Sequence, residues 1–457
     1  MKDTDIQELR GRFRGELIAP GDAAYEAARK VYNGMIDKRP ALIARCADVA
    51  DVIAGVGFAR DKGLLLAVRG GGHNGPGLGT CDGGLVVDLS RLKGIRVDQR
   101  KRTVRVEGGA LWGEVDHATH PFGLAVPSGF ISTTGVGGLT LGGGIGYLSR
   151  RYGLTIDNLL EADVVLADGR LVTASAEENE DLFWAVRGGG GNFGVVTSFL
   201  FRASPVGNVY GGPIFWPLDK SAELLRFWRD FILKAPEDIN GWFAFATVPP
   251  VPMFPAEHHL KKVALVTWCY TGDPAKAEEA MAPVRAFSPP LMDFCGPIPF
   301  PVLQSLFDGL YPAGLQWYWK ADFFQDLSDK AIDLHVKYAE RLPSPHSTMH
   351  LYPINGAAGR VGKGDTAFSY RDARFAEVIV GVDPDPAQNP RLVQWAKDYW
   401  LALHPFSLGG GYVNMMMDEG EDNVKAAYRE HYPRLAAIKK AVDPENLFRV
   451  NQNIKPA

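Results

Sequence analysis

Short apolar runs alternate with amphipathic ones along the first 205 residues. LIARC (42–46), LLLAVR (64–69) and LVVDLS (85–90) are apolar runs of strand length. Between the first two, DVADVIAGVGFARDKG (48–63) repeats its apolar residues at helical spacing. IRVD (95–98) and TVRVEG (103–108) alternate apolar with polar, the period of a half-buried strand. ADVVLADGRLVTAS (162–175) predicts a hairpin turning at Asp168-Gly169, and EENEDLFWAV (177–186) a helix with acids at its positive end.

From about Ser204 the pattern changes. Prolines gather in VPPVPMFP and GPIPFP, and GWFAFATV (241–248), VALVTW (263–268) and LQWYWKADFF (315–324) predict aromatic-rich strands. LSDKAIDLHVKYAERL (327–342) reads as a helix. Such strands interleaved with helices predict a second unit over 206–410, an antiparallel sheet covered by helices. DNVKAAYREHYPRLAAIKKAVDPENLF (422–448) returns to amphipathic helix before the polar ending RVNQNIKP. The fold class is α+β.

Composition then narrows the function. The chain has 457 residues, 46% of them hydrophobic, and a formal charge of −4. A sizeable core is assured, and the charge calls for neither nucleic acid nor an anionic membrane, leaving a small molecule as the expected partner. No stretch approaches the roughly 20 apolar residues of a bilayer span. The opening MKDTDIQELRGRFRGEL lacks the apolar run of a secretory signal. Cys46, Cys81, Cys269 and Cys295 are scattered without a CxxC, which fits reduced thiols and a cytoplasmic location. The pairs His117/His120 and His346/His350 have no third ligand nearby, so no metal is expected. No GxSxG or Walker motif appears.

Three glycine segments remain to be explained: RGGGHNG (69–75), GVGGLTLGGGIG (135–146) and RGGGGNFG (187–194). Residues 70–75 match GxGxxG formally, but PGLGTCDGG follows, which cannot be the helix that a dinucleotide fingerprint requires. A loop of bare N–H groups closing on an anion remains, with Arg69 available to add charge. Three such loops in one half of the chain predict a long cofactor lying across them.

The order of RGGGHN, PSGF(I)STTGVGGLTLGGGIG, DNLLEADVVLADG, DLFWAVRGGGGNFGVVT and DPENLFRVNQNI resembles the berberine-bridge-enzyme-like branch of the vanillyl-alcohol-oxidase flavoproteins. The resemblance implies a PCMH-type FAD-binding domain of two α/β subdomains over 1–205. It also implies an inserted substrate domain over 206–410 and a segment, 411–457, that returns to the FAD domain. It implies FAD attached covalently through His73. Ile131 stands where many relatives have a second attaching cysteine, so attachment through His73 only is expected. Gly70, Gly71, Gly72, Asn74, Ser132, Thr133, Gly135, Gly138, Gly142, Gly143, Gly146 and Val196 would complete the cofactor site. Thr134 would sit beside the oxygen-reactive edge of the flavin.

The family's oxidases often use the tyrosine of a Y-x-N motif as base, here Tyr412 with Asn414. If 409–420 is a strand, the two share a face. Asn414, Asn451 and Asn453 would hold the pyrimidine edge or its neighbouring loops. In LQWYWK, Gln316 and Tyr318 share one face and Trp317 and Trp319 the other, and His350 and Tyr352 share a face in HLYPI. Gln316, Tyr318, His350 and Tyr352 are the candidate substrate residues. The implied activity is an FAD-dependent oxidase taking hydride from a secondary alcohol, sugar or cyclic amine and reducing O2 to hydrogen peroxide. A dehydrogenase with another acceptor, or a flavin-binding protein without turnover, stays open.

Overall fold

The computed structural model describes residues 3–457. Leu42–Arg45, Leu85–Asp88 and Leu66–Arg69 lie parallel, in that spatial order, with Glu16–Ile18 antiparallel on the outer edge. The helix Val49–Asp61 carries the chain from the first of these strands to the third. Asp48 caps it, accepting from the Asp51 N–H at 3.1 Å, and it ends before Gly63, whose φ of +62° suits glycine. Leu42, Ile43, Ala44, Leu85, Val86 and Val87 are fully buried, which is why these strands show no polar alternation.

A second, antiparallel sheet orders Ile95–Asp98, Thr103–Glu107, Val195–Arg202, Leu159–Val165 and Leu171–Ser175. The last two are the predicted hairpin, with Ala162 opposite Ala174. The helix expected from Glu177 opens at Glu180. Ser175 Oγ accepts from the N–H groups of Glu177 and Glu178, and Asn179 is left-handed (φ 51°), so a side-chain turn replaces the first helical turn.

The third sheet is the largest. Its long strands run antiparallel in the order Asn208–Pro217, Lys262–Tyr270, Ile239–Thr247, Thr348–Pro353, Phe375–Asp383 and Gln316–Phe324. The helices Ser221–Lys234, Asp329–Ala339 and Asn389–Leu403 cover one face. Leu224, Leu225, Trp228 and Ile232 make the buried stripe of the first helix, each worth about 1.5–3 kcal/mol in apolar burial. The other face carries Trp242, Trp317, Trp319, Ala321 and Tyr352 and packs on Ile145, Tyr147 and Leu154 of the glycine-rich half. The roof of the molecule is therefore an aromatic sheet set over glycine loops.

The tail departs from the single helix expected over 422–448. Helices Glu421–Tyr428 and Tyr432–Val442 are separated at Arg429, whose φ is +48° and whose guanidinium meets Asp372 at 2.8 Å. The second helix packs on Leu182 and Phe193 of the glycine-rich half. Among the described residues no helix is long and apolar enough to cross a membrane.

One fully buried histidine, His335, and two half-buried ones, His73 and His350, shape the response to acid. Burial holds His73 at about 4 and His335 and His350 at about 3. An unfolded histidine takes its proton near 6.5, so acid favours the unfolded chain as pH falls from 6.5 toward the folded values. We expect each to remove about 1.4 kcal/mol per pH unit in that window. Urea midpoints measured from pH 7 to pH 5 should fall accordingly, and His350→Gln should flatten the slope. A midpoint independent of pH would contradict it.

Candidate functional site

One elongated cavity runs between the glycine loops, the roof sheet and the tail. Its floor begins where the strand Leu66–Arg69 ends. Gly70, Gly71, Gly72, His73 and Asn74 line it consecutively, with Gly72 at φ +71°. None of these five backbone N–H groups finds an acceptor among the described residues, while Gly72 O and Asn74 O are used by Tyr32 and Gly77. Five free donors in succession form a nest for an anion. Thr134, Gly135 and Gly138 line the next stretch, and Val196 contributes from the second sheet.

The two glycine loops touch backbone to backbone. A Cβ on Gly71 would stand 2.5 Å from Gly135 Cα, and one on Gly135 would fall on the Gly71 N. Neither side is a flexible side chain that could give way. Gly135→Ala should therefore pry the loops apart and weaken FAD binding about ten- to hundredfold, at an overpacking cost of 1–3 kcal/mol. Titration of the apoprotein with FAD checks it, and wild-type affinity would refute it.

Arg69 corrects one expectation. Arg69 lines the cavity, but its guanidinium pairs with Asp88 at 2.7 Å and donates to Ala28 O at 2.6 Å. Its charge is already neutralised, and it braces the strand end beneath the loop. The free N–H groups carry the positive potential instead.

His73 is half-buried at the mouth of this loop. The Tyr32 ring stacks on it at 3.9 Å and 18°, and Thr133 Oγ1 lies 3.1 Å from Nε2. Burial pushes its pKa down to about 4, so the imidazole is neutral at physiological pH with a nitrogen lone pair to offer. Ser132 turns away, its backbone N–H and hydroxyl both donating to Asp308. Phe130 and Ile131 line the cavity beside them.

The tail closes the far end. Asn451 donates to Gly191 O at 3.0 Å, and Asn192 binds Gln452 O at 3.1 Å and the Ile454 N–H at 3.0 Å. Gly190, Gly191, Asn192, Val450, Asn451 and Gln452 all line the cavity. Asn453 does not, and its buried Oδ1 has no partner among the described residues.

Residues 409–420 are not a strand. Val413–Met415 forms a 3-10 turn, yet Tyr412 and Asn414 still meet, because the turn folds the amide back. Asn414 Nδ2 donates to Leu139 O at 3.1 Å and to the Tyr412 oxygen at 3.0 Å, and the Gly144 N–H donates to the same oxygen at 2.9 Å. A carbonyl only accepts, so Leu139 fixes which way the amide points. Burial outweighs both donors and raises the Tyr412 pKa to about 12. The two donors themselves pull the other way, toward the phenolate that a tyrosine base uses. Gly142 backs onto the Asn414 side chain, Gly143 onto the Phe368 ring and Gly146 onto the Ser128 carbonyl, so all three support the wall without lining the cavity.

On the roof, the two faces of LQWYWK sort opposite to the candidate assignment. Trp319 lines the cavity. Gln316 accepts from Asn389 Nδ2 at 3.1 Å and Tyr318 packs under the helices, so neither reaches the site. Strand alternation allowed either face inward, and the bulkier aromatic one fills the space over the glycines. Tyr352 lines the cavity, stacked on Phe130 at 4.4 Å, and its oxygen lies 2.6 Å from His350 Nδ1, one layer behind. Tyr32 escaped the sequence reading as a single residue without a motif, while Phe130, Trp319 and Gln452 stand in segments quoted there without being named as site residues. Among the described residues no cluster of three His, Cys, Asp or Glu is placed to hold a metal.

Glycine loops in contact and five free N–H groups fit the pyrophosphate of an extended dinucleotide, with His73 near one end and the docked tail at the other. The chain matches a family model described as FAD binding domain over residues 40–175 and one described as berberine and berberine like over 411–455. An FAD-linked oxidoreductase of Dictyostelium discoideum is 31% identical over 454 residues, covering 99% of this chain and 97% of its own. A xylooligosaccharide oxidase of Thermothelomyces thermophilus is 30% identical over 500 residues, covering 100% and 95%. The crystal structure of 6-hydroxy-D-nicotine oxidase from Arthrobacter nicotinovorans superposes with a TM-score of 0.86 at 28% identity, over 97% of this chain and 98% of that one.

Proposed function

This chain belongs to the berberine-like FAD-linked oxidoreductases, and from that premise we propose that it is an oxidase acting on a secondary alcohol, a sugar or a cyclic amine, with O2 as electron acceptor and hydrogen peroxide as product. FAD supplies the two-electron chemistry when bound. The chain holds its pyrophosphate on the N–H groups of 70–74, and the tail residues Asn451 and Gln452 cover its length.

Attachment is through His73 alone. The neutral, Tyr32-stacked imidazole supports this, as does the alkyl side chain of Ile131 on the same wall. Thr134, small and β-branched, borders the cavity where oxygen would approach. The four cysteines are unpaired and buried, which suits a reducing compartment, and we place the protein in the cytoplasm.

The observation that carries this reading is the run of five free N–H groups ending beside a neutral histidine. Its test is an anaerobic panel of alcohols, sugars and cyclic amines against the yellow protein, followed by admission of air. Bleaching by one class and rapid recolouring with peroxide formation is the expected result. Bleaching followed by a reduced flavin that persists for minutes in air means a dehydrogenase. No bleaching across the panel would overturn the reading.

A further inference from the structure

Sugars, cyclic amines and other secondary alcohols ask different things of a cavity wall, and the roof sheet meets only one set of demands. Register places Ala244, His350, Val378 and Ala321 in one inward row across four strands. Tyr352, Ala376 and Phe323 form the row on one side of it, and Thr348, Val380 and Trp319 the row on the other. Only Thr348, His350, Tyr352 and the Trp319 indole carry side-chain polar atoms among these. The Thr348 hydroxyl is spent on Phe245 O at 2.7 Å, and the Tyr352 oxygen lies 2.6 Å from His350 Nδ1. Trp319 Nε1, without a partner among the described residues, can only donate.

Charge is equally scarce. Among the described residues lining the cavity, Arg69 alone is permanently charged, and Asp88 neutralises it at 2.7 Å. Asp308 spends both carboxylate oxygens on Ser132. Burial keeps the imidazoles of His73 and His350 neutral. The wall offers rings instead. Phe130 and Tyr352 stack at 4.4 Å, and two strands away Trp319 stands edge-on to Trp317 at 5.9 Å. Ile131, Ile145 and Met415 add apolar lining.

We infer that the substrate is a flat, uncharged ring compound that carries its oxidisable hydroxyl or amine and few other polar groups, and that sugars are not turned over. The inference rests on the oxidase reading and selects among its substrate classes. A ring of this kind buries its apolar surface against the aromatic wall and leaves Tyr412 for the group that is oxidised. A sugar brings hydroxyls all round its ring, each a donor that needs an acceptor. Under this roof most would leave water without one, and each orphaned hydroxyl costs about tenfold in affinity. A protonated amine or a carboxylate would meet no free opposite charge, and burying it unpaired is costlier still.

Two measurements on the holoprotein test this. In anaerobic stopped flow, the ratio of limiting reduction rate to Kd for 1-indanol should exceed that for glucose, xylose or cellobiose about 100-fold or more. 1-Phenylethanol should exceed its anionic analogue 4-(1-hydroxyethyl)benzoate about tenfold or more in the same ratio. A sugar as good as 1-indanol, or equal ratios for the neutral and anionic alcohols, would overturn the inference and leave the oxidase reading intact. The second measurement needs no turnover. 1-Indanone, flat and already oxidised, should perturb the spectrum of the oxidised flavin with a sub-millimolar Kd, whereas glucose at far higher concentration should not. Trp319→Ala should weaken that binding about tenfold or more and Trp319→Phe about threefold or less. Flavin absorbance per chain reports whether each variant keeps its fold. No spectral response to 1-indanone, or a response unchanged in Trp319→Ala, overturns the ring class. If nothing bleaches the wild-type flavin while 1-indanone binds, the oxidase reading fails and the ring class stands.

Discussion

Acid-precipitated wild-type protein should come down yellow, with the mass of the polypeptide plus one FAD, and His73→Ala should come down colourless at the mass of the bare chain. The expected effect is complete. Among the described residues lining the cavity, His73 is the only histidine and there is no cysteine. Cys81, the nearest thiol in sequence, is buried, accepted into the packing behind the loop, and its pKa is pushed up to about 11. A thiol held protonated is a poor nucleophile even where it can reach. Ile131 has no reactive atom. A covalent link would therefore have one candidate residue on the cavity wall, the neutral His73 held by Tyr32 and Thr133.

The variant should still bind FAD, because the five N–H donors of 70–74 are backbone and survive the substitution. Dialysis against FAD-free buffer should then strip it, whereas wild type keeps its colour. A coloured, flavin-heavy His73→Ala pellet would place the attachment elsewhere. Tyr32→Ala separates orientation from reactivity: it removes the stacking ring and leaves the imidazole, so attachment should be slower but reach completion.

How much of this was legible beforehand follows from where each signal sits along the chain. Strands 42–46, 64–69 and 85–90 and the hairpin around Asp168-Gly169 were readable because their own residues determine them: apolar runs, and a dipeptide suited to the turn. The glycine loops were readable for the same reason, since only a demanding backbone explains so many glycines. Arg69 was misjudged because its partner, Asp88, lies a strand away, and nothing local reveals that its charge is spent. Gln316 and Tyr318 were misjudged because strand alternation defines two faces without saying which is covered by helices. Only the packing of Asp329–Ala339 and Asn389–Leu403 decides that. The proximity of Tyr412 and Asn414 was anticipated through a strand that does not exist. The pairing arises from a 3-10 turn and from the Leu139 carbonyl across the cavity wall.

A buried ion pair inside the tail, Lys439–Asp443, shapes its docking on the glycine-rich half, and cutting it should loosen both the tail and the cofactor. Lys439 and Asp443 are fully buried with Nζ 2.5 Å from Oδ2. Lys439 also donates to Asn192 O at 2.7 Å, on the third glycine segment. Asp443 accepts from the N–H groups of Leu447 and Phe448 at 2.8 and 2.9 Å, which folds the chain back toward Asn451 and Gln452. Burial pulls the Lys439 pKa down, and Asp443 is what keeps its charge tolerable. Asp443→Ala leaves an unpaired ammonium in the core and two orphaned N–H groups, a loss of about 3–5 kcal/mol. We expect a lower denaturant midpoint together with failure of the tail to cover the cavity, read as faster proteolysis after Val442 and weaker noncovalent FAD binding in the His73→Ala background. Lys439→Met combined with Asp443→Leu removes both charges, so its midpoint should recover part of the loss while FAD binding does not, because the bonds from Asp443 to the turn are still missing. Equal recovery of both would mean that the ion pair acts through core stability alone and that the turn at 443–448 finds its shape without it.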